Sequence, residues 1–188
     1  MAKTQYYTAA SIDGFIAGPG NSLEWLLEIG SDGANDRFGT FMAGVGAMAM
    51  GSTTYEWVLN HEGLLEDPST WQKYYGALPC WVFTHRALPA VPGASLVFAQ
   101  GSVRDAHQQM TEAAAGRNIW LVGGGDLAGQ FADEGLLDEI LLGVAPVTLG
   151  AGAPLLPRRL LSSELTLTGV DRDEHFAFLS YRVTPRPA

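Results

Sequence analysis

Three short segments combine bare backbone and hydroxyl side chains in patterns suited to holding an anion. In the first, the apolar run Trp120-Leu121-Val122 ends in Gly123-Gly124-Gly125 and passes at once into Asp126-Leu127 of a helix-like stretch. Three consecutive glycines remove every Cβ from a strand-to-helix turn. Backbone N–H groups can then approach a ligand, and a helix N-terminus adds a field that favours anions. The pattern suggests phosphate or dinucleotide binding, although glycine also serves plain turns. The second segment is Met50-Gly51-Ser52-Thr53-Thr54-Tyr55-Glu56, where the hydroxyls of Ser52, Thr53 and Thr54 can either donate to a phosphate or cap a helix. The third is Val82-Phe83-Thr84-His85-Arg86. Here the planar fork of Arg86 can meet a further phosphate or simply face solvent.

The elements that must carry these segments follow from apolar periodicity. Tyr6–Ser11 reads as a first strand, followed by the Gly-rich excursion Ile12–Gly20. A helix is expected over Asn35–Ala43, a buried strand over Ala47–Met50 and a helix over Thr53–Val58 opened by a Thr53–Glu56 capping box. Strands are expected over Pro79–Thr84 and Ser95–Phe98. Ser102 and Asp105 then form a second capping box ahead of a helix presenting Val103, Ala106 and Met110. A strand over Ile119–Val122 and a helix over Asp126–Glu134, stopping at Gly135, complete the alternation. The tail changes character: Glu139–Val147, Leu165–Val170 and Phe176–Thr184 read as strands, the last two a hairpin across Asp171–Glu174. This order predicts an α/β fold, an open and mostly parallel sheet with helices on both faces and an antiparallel C-terminal hairpin. All three anion-suited segments fall at strand C-terminal ends, where such sheets bind ligands.

Composition narrows the chemistry. The 188 residues, 47% hydrophobic and 16% charged, suit one domain spanning 1–188 with a sizeable core. A net charge of −9 argues against nucleic acid or an anionic membrane surface as partner. Cys80 is the one cysteine, so neither an internal disulfide nor a Cys-rich metal site is expected. His61, His85, His107 and His175 are scattered without i, i+4 spacing, and no metal site is expected. The N-terminal residues lack an apolar signal core, and the uncharged stretch Ile140–Pro157 is broken by Pro146, Gly150, Gly152 and Pro154. A cytoplasmic protein is the expectation. Hydrolase, Walker-type and Gly-x-Gly-x-x-Gly dehydrogenase motifs are missing.

In order and spacing, Thr8-Ala9-Ala10-Ser11-Ile12-Asp13-Gly14, Met50-Gly51-x-x-Thr54-Tyr55-Glu56, Thr84-His85-Arg86, Val122-Gly123-Gly124-Gly125 and Val144-Ala145-Pro146 resemble the dihydrofolate reductase fold. More closely, they resemble the reductase domain of the bifunctional riboflavin-biosynthesis deaminase–reductase, without its zinc-binding deaminase half. The resemblance implies an NADPH-dependent reductase. It puts Ala9, Ala10 and Ile16 beside the nicotinamide and Gly51, Ser52, Thr53 and Thr54 at the phosphate bridge. Thr84, His85 and Arg86 would lie near the adenosine 2′-phosphate, and the turn Val122–Leu127 (with Gly123, Gly124, Gly125 and Asp126) against the cofactor. The family often has a cis peptide in that turn. Ser52 stands where the family usually has arginine, so a preference for NADPH would rest mainly on Arg86.

On the substrate side, the resemblance makes Asp36 the candidate catalytic carboxylate, although acids are common at helix starts anyway. Asp13 and Trp25 are further substrate candidates, with plain readings as a turn former and a core tryptophan. Only Lys3, Arg37 and Lys73 precede Arg86 as cations, too few for the ribityl phosphate of the riboflavin pathway. The expected substrate is a small heterocyclic or carbonyl compound, riboflavin-precursor-like or pterin-like. Dihydrofolate reduction and a non-catalytic NADP-binding module are the alternatives. The resemblance also implies a homodimer with the end of the sheet at its interface, for which Ile140–Leu149 and Phe176–Val183 could serve, with plain core strands as the alternative.

Overall fold

A computed structural model describes residues 2–29 and 34–185, with the side chains of all of these except residues 34–36. Its elements run, in chain order, β1 Thr4–Ala10, β2 Phe15–Ala17, α1 Glu24–Ile29, α2 Ala34–Ala43, β3 Val45–Gly51, α3 Ser52–His61, α4 Ser69–Tyr75 and β4 Cys80–Phe83. They continue with β5 Leu96–Ala99, α5 Val103–Ala114, β6 Asn118–Gly123, α6 Gly125–Asp133, β7 Glu139–Val144, β8 Ala153–Pro154, β9 Leu165–Arg172 and β10 Ala177–Val183. The main sheet has eight strands in the order β5-β4-β3-β6-β1-β7-β10-β9. β5 to β7 are mutually parallel, and β10 and β9 close the sheet as an antiparallel hairpin. The fold is the expected mixed α/β architecture of the dihydrofolate reductase type.

The sheet is central because its inner strands are apolar on both sides. Every residue from Val45 to Met50 is buried, as a strand covered on two faces requires. One face packs Tyr6, Ala49, Ile119 and Leu121 under α5 and α6, through Val103, Met110, Leu127 and Phe131. The other packs Met48, Met50, Val82 and Trp120 under α2, α3 and α4, through Phe41, Tyr55 and Trp71. The chain therefore moves out from β1 to β4 with helices on one face and returns through β6 and β7 with helices on the other.

Several local expectations change. The Thr53–Glu56 capping box does not form: α3 starts one residue earlier, Gly51 is its N-cap without a side-chain bond, and Glu56 pairs with Arg86 instead. Ser102 does cap α5, accepting from Arg104 N–H at 3.1 Å, which is a single serine cap and not the reciprocal box with Asp105. α1, α4, β2 and β8 were not expected; they are short, and β2–β8 pairs in only two registered positions. The Gly-rich turn has no cis bond, and among the described residues no peptide bond is cis. β7 and β10, expected at a dimer interface, are interior strands, while the sheet ends at β9, where Leu167 and Val170 are 53% and 68% exposed. No helix among the described residues is long and apolar enough to cross a membrane.

Candidate active site

The adjacent parallel strands β3 and β6 send their following helices to opposite faces, α3 into one core cluster and α6 into the other. Such a divergence opens a crevice at the C-terminal edge of the sheet. Here the crevice is a cavity of about 290 Å³. Thr53, Thr54 and Trp57 of α3 form one wall and Val122 to Asp126 the other. Ile16, Ala17, Ala153 and Pro154, the β2–β8 pair, close it above. Leu155 N–H donating to Gly14 O at 2.9 Å ties the two halves of that roof together, and Tyr6 Oη donating to Leu155 O at 3.0 Å pins it to β1.

The glycines of this crevice, and Gly51 just outside its lining, differ in why they are glycine. A Cβ on Gly125 would lie 2.1 Å from Pro154 O and 2.5 Å from Leu155 O, so α6 can pass under the roof only without one. A Cβ on Gly123 would lie 2.9 Å from Thr54 Oγ1. Gly124 has φ +95°, a region that disfavours other residues. The triple glycine is thus largely explained by contacts within the protein. Gly51 is not: its φ is an ordinary −74° and a Cβ there would meet nothing within 4 Å. A Cβ on Gly124 would lie 3.9 Å from Gly51 N, so the two bare turns face each other across the strand seam.

The structure brings Ile16, Thr53, Thr54, Val122, Gly123, Gly124, Gly125 and Asp126 into one cavity. Other expected residues sit elsewhere. Ala9 lines a neighbouring cavity, Ala10 is buried, and Leu127 belongs to the core. Ser52 stands at the start of α3 beside the lining residues Thr53 and Thr54. Thr84 is buried in a tight turn, where its hydroxyl accepts from Arg86 N–H at 2.9 Å. His85 is exposed. The guanidinium of Arg86 makes a two-pronged pair with Glu56, at 2.9 and 2.5 Å. Asp126, on the rim, is held by Gln130 at 2.9 Å and by Arg158 at 3.0 Å, which together keep its carboxyl below the usual range. Arg158 also grips Asp133 at 2.6 Å. Sequence reasoning missed Thr8, Trp57 and Pro157 in this lining. Trp57 lies four residues after Thr53 on the same helical face, a spacing that could have revealed it.

A second, smaller cavity of about 180 Å³ opens over β1 and shares Thr8 with the first. Tyr7, Ala9, Leu26, Phe38, Gly143, Phe176 and Phe178 complete its lining, which contains no charged side chain among the described residues. Gly143 is bare because a Cβ would press on both Phe176 and Phe178 at 3.4 Å. Trp25 does not line this cavity: it is buried with Ala145 and Phe176 in a satellite core, and its Nε1 has no hydrogen-bond partner among the described residues. Asp13 is engaged by its own chain. It accepts from the Ser11 hydroxyl at 2.6 Å and from the Leu149 and Gly150 amides at 3.0 and 2.7 Å, which draws its pKa down to about 2. The side chain of Asp36 lies outside the described residues.

This architecture agrees with the comparisons. The model of the RibD C-terminal domain matches residues 2–175. The uncharacterised protein YwjB of Bacillus subtilis strain 168 is 32% identical over 89% of this chain and 90% of its own length. A solved structure from Shewanella sp. PV-4, assigned to riboflavin biosynthesis, superposes with a TM-score of 0.73 at 24% identity, over 98% of this chain and 99% of the other. Dihydrofolate reductase from Enterococcus faecalis, complexed with NADP(H) and RAB-propyl, superposes with a TM-score of 0.61 at 13% identity, over 96% of each chain. The chain belongs to the RibD C-terminal domain family.

Proposed function

We propose that this chain is an NADPH-dependent reductase that delivers hydride to a small, flat, uncharged heterocyclic or carbonyl substrate. The observation that carries the reading is Gly51. It is a glycine with no steric reason inside the protein, at the start of α3 and facing the start of α6 across a strand seam. Open space at two helix N-termini suits a dinucleotide's phosphates, which need close backbone approach. Thr53, Thr54 and the amides from Gly124 onward would hold those phosphates. Trp57 would flank the cofactor, which when bound supplies the hydride. The uncharged aromatic cavity meeting the crevice at Thr8 supports the substrate class. Among the described residues its lining carries no cation to neutralise a ribityl phosphate, Arg37 standing behind the Phe178 ring, and this disfavours the riboflavin-pathway substrate.

Residues 1–188 would act as one domain, since both core clusters share one sheet. A homodimer would form through β9, whose apolar side chains end the sheet, and light scattering at micromolar concentration tests it. The cofactor test is a titration with NADPH read by Trp57 fluorescence. The expected result is saturable quenching that is lost in Trp57→Phe. Gly51→Ala should cost about 1 kcal/mol of stability or less, as an N-cap exchange, yet weaken NADPH tenfold or more. Unchanged affinity in Gly51→Ala would remove the observation on which the reading stands. Binding without oxidation across pterins, ribityl-pyrimidines and small carbonyls would instead favour a non-catalytic module.

A further inference from the structure

Hydride transfer to a C=N or C=O bond leaves negative charge on the heteroatom, which must be protonated. Within the aromatic cavity, the polar side chains of the lining are Tyr7 and Thr8. The Thr8 hydroxyl turns to its own neighbour, donating to Ala9 O at 3.3 Å. Tyr7 is fixed as a ring and free as a phenol. Its ring stacks on Phe41 at 4.4 Å between centroids, with Phe38 at 6.0 Å. Its backbone carbonyl accepts from Trp120 Nε1 at 3.1 Å, whereas its hydroxyl makes no hydrogen bond to any described residue. It also lines the adjoining cavity that contains Arg37, which is held over the Phe178 ring at 4.1 Å.

From this placement we propose that Tyr7 is the catalytic acid of the reaction, a step that rests on the reductase reading above. The electrophilic carbon of the substrate would accept a hydride, which carries both electrons, from a bound reduced nicotinamide. The π pair of the C=N or C=O bond moves to the heteroatom, which takes the proton from Tyr7 Oη. The resulting tyrosinate is reprotonated by water, so each turnover consumes one solvent proton and one NADPH. Among the described residues two charged groups act on the hydroxyl: Arg37 of α2, itself ion-paired with Asp171, favours the anion, and Asp173 of the β9–β10 turn opposes it. Burial outweighs Arg37 and raises the phenol above its ordinary range, so it remains protonated at neutral pH.

The test is Tyr7→Phe, which keeps the stacked ring and deletes a hydroxyl that holds nothing else in place. Three readouts separate the possibilities: NADPH affinity by Trp57 quenching, pterin affinity by the anisotropy of this fluorescent bicycle, and NADPH oxidation with 9,10-phenanthrenequinone or 7,8-dihydropterin. In Tyr7→Phe, NADPH affinity should hold and pterin should bind several-fold more weakly. The turnover number should fall by about a hundredfold or more, without the alkaline decline of the native pH profile. Arg37→Gln should move that decline to higher pH. A turnover number within threefold of wild type, pterin binding untouched by the substitution, or a wild type that binds NADPH and pterin but reduces neither acceptor would each overturn the assignment. Failure of the wild type to bind NADPH would overturn the reductase reading instead. Pterin binding would then still decide whether Tyr7 touches the ligand.

Discussion

Replacing Gly125 with alanine should be far more damaging than its exposed, turn-like sequence context implies. The new Cβ would sit 2.1 Å from Pro154 O and 2.5 Å from Leu155 O, and both are backbone atoms that no rotamer change can move. Reaching ordinary contact, which begins at 3.4 Å, requires the β8 segment to retreat by about 1.3 Å from the 2.1 Å approach. That retreat pulls on two bonds of the roof, Leu155 N–H to Gly14 O at 2.9 Å and Tyr6 Oη to Leu155 O at 3.0 Å. Overpacking costs about 1–3 kcal/mol, and weakening two hydrogen bonds adds about 0.5–1.5 kcal/mol each. A total of about 3 kcal/mol corresponds to a fall of about 6–12 °C in Tm for a chain of this size. Gly123→Ala meets only the Thr54 side chain, so most of its smaller cost should disappear in a Gly123→Ala/Thr54→Ala double variant. Thermal melts followed by far-UV circular dichroism measure all three. A Gly125→Ala melt within about 2 °C of wild type, less than 1 kcal/mol on this scale, would refute the account of the roof.

Two further expectations come from charged groups. Glu56→Gln should free the Arg86 fork for a phosphate and raise the preference for NADPH over NADH by up to about fivefold, equivalent to about 1 kcal/mol at an exposed pair. Parallel titrations with the two cofactors read this directly, and an unchanged ratio would place Arg86 outside the cofactor site. The Asp13 carboxyl has a folded pKa of about 2, below its unfolded value, so its contribution is fully present above about pH 4 and fades as pH falls toward 2. Urea unfolding of wild type against Asp13→Asn should therefore show a gap at pH 7 that closes on acidification. A gap independent of pH would mean that the carboxylate's charge plays no part in tying its loop to Leu149 and Gly150.

The long elements were legible because burial repeats in them at fixed spacing. Val45–Met50 is an unbroken apolar run, and α5 shows Val103, Ala106 and Met110 on one face after a serine cap. The C-terminal hairpin stood out because Leu165–Arg172 and Ala177–Val183 flank a polar turn. Strand order was not legible, since nothing local to β6 encodes that it lies between β3 and β1. β2 and β8 escaped because segments of three and two residues carry no periodicity, and one of them contains proline. Thr53 failed as a capping residue because Gly51 already starts the helix and Glu56 finds Arg86. Half of the crevice was visible in the glycines and threonines. The roof, Trp57 and the role of Tyr7 depend on contacts between segments far apart in sequence.

The crevice is built from parts of very unequal permanence. Its floor is the end of β3 and β6, strands flanked on both sides within the main sheet, and those amides should exchange with solvent only on global unfolding. Its roof is a two-rung ladder between β2 and β8, which can lift by breaking a handful of bonds while the sheet stays intact. A ligand can therefore enter and leave on the timescale of that local opening, and a bound ligand should slow deuterium uptake at Ala17 and Leu155 long before it affects the strands beneath.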